Sequence, residues 1–224
     1  MTNGTIQIDK LNSPELSPVT RAMLHEQIYE ILSRNLMMGR FSPGQKLPLR
    51  GLAKSLGTSL MPVRDALQRL ESVGSVVLTP QRTLMVPIFT SKELHDISVL
   101  RKAIESAALE RAVVNRSKYQ LDQLNERVKD ICKAEKNNDI DLFLEANYHF
   151  HMIIADMSDL SFIRQSLEPI WMKLGPTVRQ SVPDDDLFRS SAQNHIDMYE
   201  AIAAKDGEAA LRALHRDISE GYSF

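Results

Sequence analysis

Residues 43–78 read PGQKLPLRGLAKSLGTSLMPVRDALQRLESVGSVVL, and their pattern decides the fold. Leu52, Ala53 and Leu56 give a first helix an apolar stripe, Gly57 stops it, and Thr58 or Ser59 is placed to cap the next by accepting backbone N–H bonds. Pro62 falls in the first turn of that second helix, where a missing N–H costs little. Val63, Ala66, Leu67 and Leu70 recur at helical spacing and face inward, which leaves Arg64, Gln68 and Arg69 on other faces. Two helices, a glycine turn and an exposed basic second helix are the parts of a helix-turn-helix DNA reader. After Gly74, Val76–Leu78 and Leu84–Val86 are short β-prone runs around the turn Pro80–Thr83, which suits a two-stranded wing.

Upstream, Thr20–Met38 reads as a helix with Leu24, Ile28, Ile31 and Leu32 inward and Gly39 at its end. Residues 1–19 are polar, carry Pro14 and Pro18, and read as a flexible arm. Residues 20–90 hold nine Lys/Arg against four Asp/Glu, whereas residues 91–224 hold 17 against 23. The formal charge of −2 for the whole chain hides this division. A basic front and an acidic back suit a DNA-binding head on a body that does not touch DNA. Nothing in the sequence approaches an apolar run of about 18 residues, so no transmembrane helix is expected. The polar start lacks the basic and apolar regions of a signal peptide. Cys132 is the single cysteine, which excludes a disulfide framework and fits a reducing cytoplasm.

Beyond Pro87 the strand signals stop. Helices are expected at about 91–115, 119–136, 139–157, 160–180, 186–204 and 206–221, with Gly175–Pro176 kinking or splitting the fourth. The breaks are Asn137–Asp139, Ser158–Asp159, Val182–Asp184 and Asp206–Gly207. The expected fold class is therefore mainly α: an arm over 1–19, a winged helix-turn-helix domain over 20–90, and an all-helical bundle of about six helices over 91–224.

Three histidines and an asparagine stand out in the bundle. Asn147 and His151 are four apart and share a helix face; His195 lies on a later helix and His215 on the last. Each sits among apolar residues at helical spacing, so three helices can aim these groups inward. Three imidazoles and one side-chain oxygen suit a divalent ion, with Zn²⁺ or Ni²⁺ ahead of Mg²⁺ or Ca²⁺ because imidazole favours borderline metals. His149 is two residues from His151 and points to another face. The bland alternative is three core histidines with satisfied hydrogen bonds. Trp171 reads as a core or cavity wall, and Asp184–Asp186 as a solvated loop before a helix. No glycine-rich phosphate loop, serine elbow or reactive-cysteine setting is present.

The segment from about Leu24 to Val86 resembles the winged helix-turn-helix domain of the GntR family of bacterial transcriptional regulators. Gly39, Phe41, Pro43, Gly44, Leu47, Arg50–Ala53, Pro62–Leu67, Leu70 and Gly74 carry the likeness. It departs from the family at Leu60, where an Arg is usual, and in the wing turn, which has no glycine. Residues 92–221 resemble the ligand-binding FCD domain of the FadR-like branch. Arg101–Glu105 resembles its Arg-x-x-x-Glu start, and Asn147–His151 its Asp-x-x-Phe-His motif, with Asn in place of Asp. His195 and His215 fall where two later metal-ligand histidines of that domain sit. The resemblance implies DNA contacts from Arg50, Ser59, Arg64 and Arg82. It also implies a divalent ion on Asn147, His151, His195 and His215, and a small carboxylate effector met by Arg101, whose guanidinium matches carboxylate geometry. Without the family, Arg101 is simply an i,i+4 partner of Glu105 on a surface.

The expected function is an effector-responsive, cytoplasmic transcription regulator, not an enzyme, acting as a homodimer on a double-stranded operator with no membrane partner. Two other readings stay open. One is a metal-dependent enzyme acting on a small organic acid, in which an ion activates water. That enzyme needs a general base, and Asp197 faces away from His195. The other is an architectural DNA-binding protein with a structural metal.

Overall fold

The computed structural model describes residues 22–181 and 185–221. The arm expected over 1–19 and the break at 182–184 lie outside the described residues. In chain order the elements are α1 (Ala22–Met37), α2 (Leu49–Ser55), α3 (Leu60–Ser72), β1 (Val77–Leu78), β2 (Leu84–Met85), α4 (Ser91–Asn115), α5 (Lys118–Asn137), α6 (Ile140–Met157), α7 (Ile163–Ser181), α8 (Asp185–Ala204) and α9 (Gly207–Glu220). The expected mainly α class holds. No helix among the described residues is long and apolar enough to cross a membrane.

The helix-turn-helix forms as its spacing dictates. Val63, Ala66, Leu67 and Leu70 of α3 are buried with Ala53 of α2 and Ile28, Leu32 and Leu36 of α1. Gly57 and Gly74 end α2 and α3 with φ of 62° and 71°, a region where a side chain is strained. Ser59 is the N-cap of α3, yet its side chain accepts no capping bond. Leu24 and Ile31, expected to face inward, are 46% and 45% exposed. The buried stripe of α1 is the i,i+4 row 28–32–36, and residues 24 and 31 lie to its sides. The wing is an antiparallel pair with Val77 opposite Met85 and Leu78 opposite Leu84.

The bundle begins with a capping box. Thr90 accepts from the Glu93 amide while the Glu93 carboxylate accepts from the Thr90 amide, so two orphan donors are satisfied together. Ser117 and Gln120 repeat the device on α5. Phe143, Leu144 and Phe150 of α6 centre the core, with Phe188 and Met198 of α8 and Leu214 and Ile218 of α9.

The expected split at Gly175–Pro176 does not occur: α7 runs through both Pro169 and Pro176. Gly175 has another use, as a Cβ there would run into the Leu36 carbonyl and stand 2.6 Å from that of Met37. The Gly39 Cβ would in turn lie 2.6 Å from the Gly175 carbonyl. Two glycines thus let the C-terminus of α1 seat directly on α7. Arg40 and Arg179 both pair with Asp141 of α6 beside this contact, at 2.7 and 2.6 Å. A second core spans the junction, joining Leu36, Leu67 and Leu70 to Tyr148 and Met152 of α6 and to Leu167 and Trp171 of α7.

Candidate functional site

Arg50, Ser59 and Arg64 are exposed on α2 and at the start of α3, and Arg82 is exposed at the tip of the wing. None of the three arginines forms an ion pair among the described residues. Arg69, also on α3, is used differently. It donates to Glu26 at 2.7 Å and lies 3.6 Å over the Tyr29 ring, tying α3 to α1. The wing turn without glycine places Arg82 at a φ of 58°, in the left-handed region. Arg82→Gly should raise the unfolding free energy by about 1 kcal/mol through relief of that strain, while weakening operator binding through loss of the wing cation. Chemical denaturation and operator titration of one variant check both signs; a less stable variant would contradict the strain.

Inside the bundle, α4, α6, α8 and α9 bring a buried polar centre together. Arg101 and Glu105 of α4, Asn147 and His151 of α6, His195 of α8 and Asp217 of α9 are all at most 6% exposed. Hydrogen-bond chemistry assigns the rings. The Glu105 carboxylate can only accept, so His151 donates Nδ1–H to it at 2.7 Å. The Ser191 carbonyl can only accept, so His195 donates Nδ1–H to it at 2.7 Å. Both Nε2 atoms are left as acceptors, and His195 Nδ1 also lies 3.6 Å from Asp217 Oδ1. His195 Nε2 faces the Asn147 amide oxygen at 2.9 Å, and His151 Nε2 faces Asp217 Oδ2 at 3.3 Å. With His195 neutral, Nε2 and Oδ1 are two facing acceptors. They need a cation between them, or an amide turned so that its NH₂ donates.

Glu105 also accepts from Arg101 Nε at 2.6 Å and Trp171 Nε1 at 3.2 Å. Burial pushes its carboxyl up, but the charges of Arg101 and His151 outweigh that and bring it down to about 2. Burial likewise opposes ionisation of Asp217, and His195 and His151 beside it hold it well below the usual carboxylate range. Burial pushes the His195 imidazole down and keeps it neutral. Burial also disfavours a charged His151, but the Glu105 carboxylate raises it overall. Without metal, Arg101⁺ therefore lies between the two ionised carboxylates Glu105⁻ and Asp217⁻.

Two expected residues sit differently from the sequence reading. His215 is exposed, with Nε2 2.8 Å from Ser106 Oγ, and does not join His151 and His195. The buried face of α9 is Ala210, Ala213, Leu214, Asp217 and Ile218. Residue 215 falls off that stripe, and Asp217 occupies the inward position. His151, His195 and Asp217 each offer a ligand atom within 4.8 Å of the others. The stripe itself was the signal that singles out Asp217, an acid at an apolar-face position. Arg101 is not on a surface: its pairing with Glu105 is internal, and its guanidinium lies 4.3 Å over the Trp171 ring. A cavity opens beside the centre, lined by the apolar Phe143, Val178, Leu187 and Phe188 and by the polar Arg101, Asn147, Ser191, Asp217 and Glu220. His149 lines a separate groove with Arg127 and Arg164.

The donor set fits a divalent ion. It offers two neutral imidazole nitrogens, one carboxylate and one amide oxygen, and both rings are oriented by outward N–H bonds, as metal-ligating histidines commonly are. A basic winged helix-turn-helix on a helical body with a buried polar centre and cavity defines a transcription regulator with an effector-binding domain. Residues 24–86 match the bacterial regulatory proteins of the gntR family, and residues 96–220 match the FCD domain. The chain belongs to the GntR-family regulators that carry an FCD domain. It is similar over 204 residues to the transcriptional regulator McbR of Escherichia coli (strain K12), 28% identical and covering 90% of this chain and 92% of McbR. It is 25% identical to the transcriptional repressor RspR of the same strain, over 88% of this chain and 86% of RspR. The solved structure of E. coli McbR/YncC superposes with a TM-score of 0.81 at 27% identity, covering 88% of this chain and 93% of that one.

Proposed function

We propose that the helical domain binds one divalent metal ion and, beside it, a small carboxylate, and that their occupancy controls binding of a homodimer to an operator. The observation that carries the metal is that His151, His195 and Asp217 each offer a ligand atom within 4.8 Å of the others in a buried centre, with Asn147 Oδ1 2.9 Å from His195 Nε2. Zn²⁺ or Ni²⁺ suits this mixed nitrogen and oxygen set. Such an ion supplies positive charge at the end of the cavity. Arg101 adds a second cation in the wall, and the apolar side chains around it suit the rest of a small organic acid. Arg50, Ser59, Arg64 and Arg82 contact the DNA in this reading, and two-fold symmetry sets two α3 helices on a pseudo-palindrome. The division near residue 90 and a cytoplasmic setting belong to the same reading.

The packing supports a link between the two parts. Asn147 and His151 face the polar centre, while Tyr148 and Met152, one residue on, belong to the core shared with α1 and α3. Trp171 belongs to that core and also bonds Glu105. The enzyme reading finds less support. Asp197 is held by Arg216 at 2.7 Å, and Glu105 is engaged by three donors, so neither is a free base.

Elemental analysis of untagged protein tests the metal. His195→Ala and Asp217→Ala should each lose bound ion, while His215→Ala and His149→Ala should retain it. Ion retained by the first pair, or absent from reconstituted parent, would return these groups to core hydrogen bonding. Acid should release the ion as pH falls through the His range, because imidazole binds only when neutral. For the DNA face, Arg64→Ala should cost about 1–3 kcal/mol of specific binding. Unchanged operator affinity at moderate salt would remove Arg64 from the interface.

A further inference from the structure

The polar centre already holds a cation. The Arg101 guanidinium places NH2 3.2 Å from His151 Nε2 and 3.8 Å from Asp217 Oδ2, while its Nε stays on Glu105. With its one N–H given to Glu105, the neutral His151 ring offers Nε2 as its only lone pair to the centre. That lone pair accepts a guanidinium N–H or ligates an ion, but not both. A divalent ion on the same atoms would also be a second cation close to the guanidinium in a buried site, where charges interact far more strongly than in water.

We propose that Arg101 gates the metal centre: its guanidinium and a divalent ion are alternative partners of His151 and Asp217, so the ion binds only as Arg101 releases them. The released guanidinium keeps its Glu105 bond and becomes the counter-ion for an anion in the cavity walled by Phe143 and Phe188. Metal and anion then bind cooperatively, since the ion frees the group that the anion needs, and the coupling is reciprocal. The inference rests on the metal reading above, and the test separates the two.

Trp171 makes the gate observable. It is the only tryptophan in the chain, Arg101 lies over its ring, and its N–H is on Glu105. The experiment titrates Zn²⁺, which does not itself quench indole, into untagged, full-length parent and Arg101→Met, following Trp171 emission and using a chelator competition for affinity. Methionine keeps an apolar stem over the ring and removes the cation. The parent should bind one Zn²⁺ with a change in Trp171 emission, and Arg101→Met should bind about tenfold tighter or more, roughly 1.4 kcal/mol. Zn²⁺ binding to Arg101→Met alone upholds the gate in its tightest form and removes the ion from the parent's working state. Equal or weaker affinity in the variant overturns the gate and leaves the metal reading standing. Binding to the parent with unchanged Trp171 emission does the same, and that arm holds even if the variant fails to fold. No binding to either protein overturns both readings.

Discussion

Replacing Glu105 with alanine is expected to remove about 3–5 kcal/mol of unfolding free energy from the metal-free protein at neutral pH. Glu105 is buried and accepts from Arg101, His151 and Trp171 at 2.6, 2.7 and 3.2 Å. Its removal leaves a guanidinium with less compensation, an imidazole N–H without its acceptor and an indole N–H without its own, all out of water. Urea denaturation measures the loss, and a cost under about 1 kcal/mol, the range of an exposed pair, would show that the centre readjusts or is wetter than its burial indicates.

The same group sets a pH dependence. Its folded pKa of about 2 lies below the ordinary 4.5, so its contribution is present above the unfolded value and is lost as pH falls toward 2. The difference corresponds to about 3 kcal/mol. Asp217 is shifted in the same direction and adds to the acid lability. His151 is shifted up, so its contribution is present below its unfolded pKa and is lost as pH rises through the folded one. His195 is shifted down, so its contribution is lost as pH falls below its unfolded pKa and opposes that of His151, which leaves the acid loss of Glu105 and Asp217 as the dominant expected trend. Denaturation midpoints at several pH values check this, and flat stability from pH 6 down to 3 would contradict it.

Gly175→Ala should be nearly as damaging, with a loss on the order of 3 kcal/mol. The added Cβ meets the backbone carbonyls of Leu36 and Met37, not the end of a flexible side chain. Backbone at a helix terminus cannot rotate away, so α1 and α7 must separate and the shared core around Trp171 must loosen. Operator affinity should fall as well, because this contact seats the DNA-binding head on the body. Gly207→Ala is the control, since a Cβ there meets nothing within 4 Å. It should be neutral or slightly stabilising. Similar melting temperatures for the two variants would refute the close approach.

The sequence by itself determined the class of the protein. The helix-turn-helix was legible because its signals are local: a stripe at 63, 66, 67 and 70, glycines at 57 and 74, and a proline in a first turn. The bundle was legible for the same reason, through periodicity and breaks. Asn147, His151 and His195 were legible as polar groups on apolar faces, because a buried polar side chain requires a partner.

Tertiary structure decided the rest. Residue type drew attention to His215, whereas the rotation of α9 against α4 and α8 turned Asp217 inward, and helix rotation is set by packing summed over a whole face. Glu105 and Trp171 carry no local sign that they share a hydrogen bond, because 66 residues separate them. Gly175 reads locally as a helix breaker, yet it serves as a contact point that exists only once α1 lies against it. Local spacing states which groups need partners. Only the packed helices decide which partners they find, since burial energy depends on the joint placement of surfaces far apart in the chain.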